Sequence, residues 1–161
     1  MTGKRSPFET VVIGGGMITR MQILPSLYEL QREGLVGTLS VCALNGAPLA
    51  ELARDASLCE AFPGHTFTPY PDFRKVPPDQ TFPSLYDEVL AAMRPRGIAF
   101  VALPDQMHYD AITKALAAGQ HVITVKPLVL NARQAAEIED LARNQGLFVG
   151  VEYHKRFDAR A

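Results

Sequence analysis

The stretch from Glu9 to Gln22 constrains this chain more than any other. Thr10, Val11, Val12 and Ile13 form a short β-branched and apolar run, which suits a strand buried on both faces of a parallel sheet. Gly14-Gly15-Gly16 follows, and Met17 to Leu24 open a helix. The glycines let the backbone turn sharply and leave no side chain in a ligand's path, while the first N–H groups of the helix point back at the turn. Such a junction is a seat for an anion. Gly14 and Gly16 fill the first two places of Gly-x-Gly-x-x-Gly, and Thr19 stands in the third, where a small residue packs helix against strand. A glycine triplet is equally at home in an ordinary turn, so the rest of the chain has to decide.

With 161 residues there is room for one domain and an ordinary core, with no need of disulfides or metals to staple it. The formal charge of −1 provides no field that favours nucleic acid, a membrane surface or a strongly anionic partner. Met1-Thr2-Gly3-Lys4-Arg5-Ser6-Pro7 is basic but leads into Phe8-Glu9 and not into a long apolar segment, and no run would span a bilayer. A cytoplasmic protein without membrane contact is the expectation. Cys42 and Cys59 share no metal-like or redox-like spacing and lie in apolar contexts, so both are expected to be reduced core thiols, and no metal site is expected.

Along the chain, strand and helix alternate. Met17 to Glu33 read as a long helix interrupted by Pro25 and closed by Gly34. Thr38 to Leu44 make a second strand and Ala47 to Ala61 a second helix; between them Asn45-Gly46 reads either as a turn or, at Asn45, as a contact to a ribose. From Pro63 to Pro83 the chain is proline-rich loop, with a short edge strand allowed at Phe67 to Tyr70. Leu85 to Met93 form a helix and Gly97 to Leu103 an apolar buried strand. Asp105 is a suitable N-cap for the next helix, whose first turn holds His108 in line with Ile112 and Ala115, as a packed residue or as a ligand contact. His121 to Val125 form a strand that stops at Lys126-Pro127, delivering an ammonium to the carboxyl edge of the sheet, where open α/β sheets bind ligands. Asn131 caps a last helix ending at Gly146, and Leu147 to Glu152 form the final strand.

In this order and spacing the chain resembles the glucose-fructose oxidoreductase and inositol dehydrogenase (Gfo/Idh/MocA) family. Three blocks carry the likeness: Gly14 to Gly16; Leu103-Pro104-Asp105-Gln106-Met107-His108 with Ala117-Ala118-Gly119-Gln120-His121-Val122; and Val125-Lys126-Pro127. Glu152-Tyr153-His154-Lys155-Arg156-Phe157-Asp158 is similar to the segment with which that family leaves its cofactor domain. The sequence departs from the family where Val125 replaces a Glu, where Asp105 replaces an Asn, and where no acid follows the second strand.

The resemblance implies a doubly wound parallel α/β sheet, the Rossmann fold, of strand order 3-2-1-4-5-6 over residues 1–161. It implies NAD or NADP as cofactor and a sugar, cyclitol or related polyol as substrate, oxidised with Lys126 as general acid/base. Gly14, Gly16, Met17 and Ile18 would hold the pyrophosphate and Asn45 the ribose; Leu103, Pro104, His108, Lys126, Pro127, Tyr153 and His154 would line the nicotinamide side. Family members continue into a second, substrate-binding domain, which this sequence does not contain, so the isolated chain is expected to turn over little. A non-catalytic nucleotide-binding or regulatory module is the rival reading. Val149, Val151, Tyr153 and Phe157, left uncovered, would favour a homo-oligomer.

Overall fold

The computed structural model describes residues 6–159, apart from the side chains of His154 and Phe157. Its strands are β1 (Phe8–Ile13), β2 (Val36–Cys42), β3 (Thr68–Tyr70), β4 (Ile98–Val101), β5 (His121–Val125) and β6 (Val149–Glu152). They form one sheet of order β3-β2-β1-β4-β5-β6, parallel throughout, which is the expected topology. The helices are α1 (Leu24–Arg32), α2 (Gly46–Ala53), α3 (Ala56–Ala61), α4 (Leu85–Ala92), α5 (His108–Ala117) and α6 (Ala132–Gln145).

The two-residue period of the central strand sorts the core into two layers. Val11 and Ile13 face a cluster with Leu90 of α4, Ile112 and Leu116 of α5 and Ile138 of α6. Val12 points the other way, to Leu24 and Leu27 of α1, Leu49 of α2 and Leu58 of α3. Each such side chain, fully buried, is worth roughly 1.5–3 kcal/mol, so these two layers dominate the stability of the domain. Because both faces of β1 are covered, an apolar run without alternation is what the strand requires.

Several local expectations are corrected. The expected helix 17–33 contains a π-helical turn, Thr19–Ile23, in which the Leu24 N–H reaches the carbonyl of Thr19 five residues back; Pro25, lacking an N–H, follows at once. β2 starts and ends two residues earlier than Thr38–Leu44, drawn by the pairing of Val36 with Phe8. The single helix expected over 47–61 is two, because the Asp55 carboxylate accepts from the Leu58 N–H at 2.9 Å and caps α3 afresh. Asp105 does not cap: Asp105–Met107 is a 3-10 turn closed by the Met107 N–H on the Pro104 carbonyl, with no side-chain cap. Asn131 does cap α6, accepting from the Gln134 N–H at 3.0 Å.

The two cysteines also part company. Cys42, at the end of β2, is buried, and burial followed by the nearby Asp87 charge pushes its thiol up to about 12. Cys59 is exposed, contrary to the expectation of a core thiol, because α3 turns only Leu58 inward. A thiol reagent should therefore label one cysteine in the native protein and both in denaturant; two labelled thiols without denaturant would contradict this packing. Among the described residues no helix is long and apolar enough to cross a membrane.

Candidate functional site

The parallel strands end together. Ile13 pairs with Val101, Val101 with Thr124, and Val125 with Glu152, so Gly14, Ala102, Lys126 and Tyr153 leave the sheet along one edge. β1 and β4 are neighbours whose connections run to opposite sides, and that reversal opens a crevice at their carboxyl ends.

The glycine turn stands at this point. Gly14 has φ +119°, and a Cβ on it would lie 2.1 Å from the Ala102 carbonyl oxygen, so strand β4 passes too close for any side chain. Its N–H donates to the Cys42 carbonyl at 2.7 Å. Gly15 abuts Ala43, Pro48 and Leu49, whereas a Cβ on Gly16 would meet nothing within 4 Å. The open side of Gly16 is thus where a ligand's backbone-facing group has room. Thr19 serves in place of the motif's third glycine: fully buried, it donates its hydroxyl to the Gly14 carbonyl at 2.6 Å and ties helix to turn. Met17 is exposed and Ile18 half-buried against the α1 layer. A cavity of about 620 Å³ extends from Gly15 and Gly16 past Arg20 to α2 and to Asp55, the cap of α3. Arg20 meets Asp55 at 2.6 Å across it, and the Leu58 N–H of α3, with this ion pair, holds the Asp55 carboxyl below its usual range. Local sequence patterns give no sign of that pair, which joins a helix start to a cap 35 residues on.

At the end of β2, Asn45 is the N-cap of α2, its side-chain oxygen accepting from the Ala47 N–H at 3.2 Å. The turn reading of Asn45 therefore describes its conformation. The proline-rich loop 71–84 lies across this end of β2. The Phe82 N–H donates to the Leu44 carbonyl at 2.7 Å, the Ala47 N–H to the Pro78 carbonyl at 3.2 Å, and Phe73 stands 3.1 Å from where a Gly46 Cβ would be.

On the other side of the crevice, Leu103 is half-buried and Pro104 exposed. His108 has no exposed surface; its Nδ1 lies 2.7 Å from the Pro127 carbonyl oxygen and its Nε2 2.8 Å from that of Leu103. Both ring nitrogens thus lie within hydrogen-bond distance of a backbone carbonyl, and which of the two donates depends on the tautomer. Of the two readings open to this residue, packing is the one its side chain shows. The ring fastens the end of β4 to the loop after β5 from behind. Its alignment with Ile112 and Ala115 is the sequence signal for that burial, but the two carbonyl partners leave no trace in local pattern.

Lys126 is exposed, with no ion pair among the described residues, and precedes a cis peptide to Pro127. Val125, in the place of the family's Glu, packs against the apolar layer of α1 instead of holding a charge. From Gly14 to Lys126 is two strand spacings, roughly 10 Å. Tyr153 is half exposed just beyond β6; the ring of His154 lies outside the described residues. A glycine cradle that a Cβ would fill, opening on a cavity and flanked by an exposed ammonium, fits a dinucleotide laid across the sheet edge.

Comparison with known proteins agrees. The profile of GFO_IDH_MocA, described as an oxidoreductase family with an NAD-binding Rossmann fold, matches residues 8–153. An uncharacterized oxidoreductase of Schizosaccharomyces pombe is 36% identical over 72 residues, 45% of this chain and 19% of that protein. D-glucoside 3-dehydrogenase of Escherichia coli is 35% identical over 77 residues, 46% of this chain and 22% of that protein. The crystal structure of KijD10, a 3-ketoreductase from Actinomadura kijaniata in complex with NADP and TDP-benzene, superposes with a TM-score of 0.63 at 24% identity, covering 91% of this chain and 37% of that one. The matches thus span about a fifth of those two curated relatives. With its strand order, its glycine turn and this match over nearly its whole length, the chain belongs to the Gfo/Idh/MocA oxidoreductase family, as its NAD-binding Rossmann fold.

Proposed function

We propose that this chain binds NAD(H) or NADP(H) across the carboxyl edge of its sheet and acts as the cofactor domain of a dehydrogenase for a sugar or related polyol. The observation that carries the reading is the Gly14–Gly16 cradle, open at Gly16, two strands from the exposed ammonium of Lys126. Amides after the turn, with Met17 and Ile18 beside them, bind the pyrophosphate, and Asn45 lies toward the ribose. Leu103, Pro104, Pro127 and Tyr153 enclose the nicotinamide side, with His108 positioning Leu103 and Pro127 through their carbonyls. A bound nicotinamide dinucleotide supplies the hydride acceptor or donor. Lys126 takes the substrate hydroxyl's proton during oxidation and returns one to the carbonyl oxygen during reduction. The sugar class is supported by the D-glucoside 3-dehydrogenase and 3-ketoreductase among the similar proteins.

A crystal structure of the chain soaked with NADH tests this arrangement. Lys126 is expected beside the nicotinamide ring; a ring bound far from it would reject the catalytic role. In the full-length protein, Lys126→Met is expected to lower turnover of sugars by about a hundredfold or more while leaving cofactor affinity nearly unchanged.

Self-association belongs to the same reading. Phe148 and Tyr153, exposed by 60% and 50%, flank the edge strand β6 in sequence and leave apolar surface for a second copy. Light scattering across a concentration series should show mass rising with concentration; a strict monomer throughout would contradict it.

A further inference from the structure

NAD and NADP differ by one phosphate on the adenosine ribose. A carboxylate after the second strand binds the free ribose hydroxyls and repels that phosphate, whereas a cation or free helix amides bind it. The segment after β2 carries neither charge. Ala43-Leu44-Asn45-Gly46-Ala47-Pro48 has no charge. Ala43 faces the glycine turn, its Cβ 3.2 Å from the place of a Gly15 Cβ, so the position from which a carboxylate would act holds a methyl group.

The amide route is narrowed as well. The Ala47 N–H is shared by the Asn45 side chain and the Pro78 carbonyl, each at 3.2 Å, and Pro48 has no N–H to offer. Loop 71–84, which supplies Pro78, thereby uses a donor that an extra phosphate would need. The cavity wall beyond Gly16 carries Arg20 and Arg54 but also Glu51 and Asp55, and Arg20 is already paired with Asp55. Opposite charges in equal number give little net field for an added dianion.

We infer that the adenosine end of this site does not discriminate, so that NAD(H) and NADP(H) bind with comparable affinity; this deepens the dinucleotide reading and rests on it. Isothermal titration of the chain with NADH and NADPH gives the decisive ratio. The two dissociation constants are expected to agree within about tenfold, and a larger difference in either direction overturns the inference. Two variants ask whether the segment after β2 is where discrimination is missing. Leu44→Arg, at a side chain 54% exposed, is expected to shift the ratio about tenfold toward NADPH, and Ala43→Asp about tenfold toward NADH. Should Ala43→Asp fold poorly, the exposed Leu44→Arg carries the test alone. An unmoved ratio in a folded Leu44→Arg places discrimination elsewhere and overturns the inference. Absence of heat with both cofactors would refute the dinucleotide reading itself and the inference with it, whereas dissociation constants more than about tenfold apart refute the inference only.

Discussion

Gly14→Ala is expected to lower the melting temperature by roughly 10 °C, and Gly16→Val to leave it within about 2 °C while removing cofactor binding. The contrast between two glycines of one motif follows from their surroundings. At Gly14 a methyl group would have to share space with the Ala102 carbonyl, 2.1 Å away, at a φ of +119° that L side chains rarely adopt. Relief requires β1 and β4 to separate, and Val11, Ile13, Ala99 and Val101 all pack in the layer that this would open. Overpacking and backbone strain each cost about 1–3 kcal/mol, so a loss of about 3 kcal/mol is the expected result in urea or heat. At Gly16 nothing lies within 4 Å of a Cβ, so the valine side chain stands free of the protein and fills the space that the proposed site gives to the pyrophosphate. A Gly16→Val variant as unstable as Gly14→Ala would show that the turn is strained throughout and not open on one side.

The second large effect is expected at His108. Its ring is wholly buried and faces two backbone carbonyls, so His108→Leu keeps much of the volume but removes the ring N–H that donates to the Leu103 or the Pro127 oxygen. A buried acceptor deprived of its partner costs about 1–3 kcal/mol, and a total near 3 kcal/mol is expected from chemical denaturation. His108→Gln, which can still donate through its amide, should recover part of that loss. Equal stability of the leucine variant and the wild type would show that the two carbonyls find water or other donors. The effect on the site is a matter of position: without the ring, the loop that carries Lys126 is no longer fastened to the end of β4. Cofactor affinity in His108→Gln should therefore fall less than in His108→Leu.

Much of this architecture was legible in the sequence because it rests on local pattern. The unbroken apolar run at Thr10 to Ile13 signals a strand covered on both faces, and Gly14 with Gly16 marks the reversal into a helix. Asn131 with Gln134, and Lys126 before Pro127, are likewise local signals, and all stand where the pattern puts them. What sequence reading missed is made by contacts between distant segments. The break at Asp55 depends on a cap that also grips Arg20; the early start of β2 depends on Phe8 as its partner. Asp105 has the chemistry of an N-cap, but the tighter turn after Pro104 takes the chain past it before α5 begins. Cys59 shares an apolar neighbourhood with Leu58 in sequence and not in space. The passage of loop 71–84 over the end of β2 rests on two backbone hydrogen bonds that no side-chain pattern announces.

The central claim is that the turn at Gly14 to Gly16 seats a dinucleotide. It is tested most directly by isothermal titration of NAD(P)H into the wild-type chain and into Gly16→Val, with both proteins shown to melt alike. Saturable one-to-one heat is expected for the wild type and none for the variant. Silence from the wild type at millimolar cofactor, or equal binding by the variant, would contradict it.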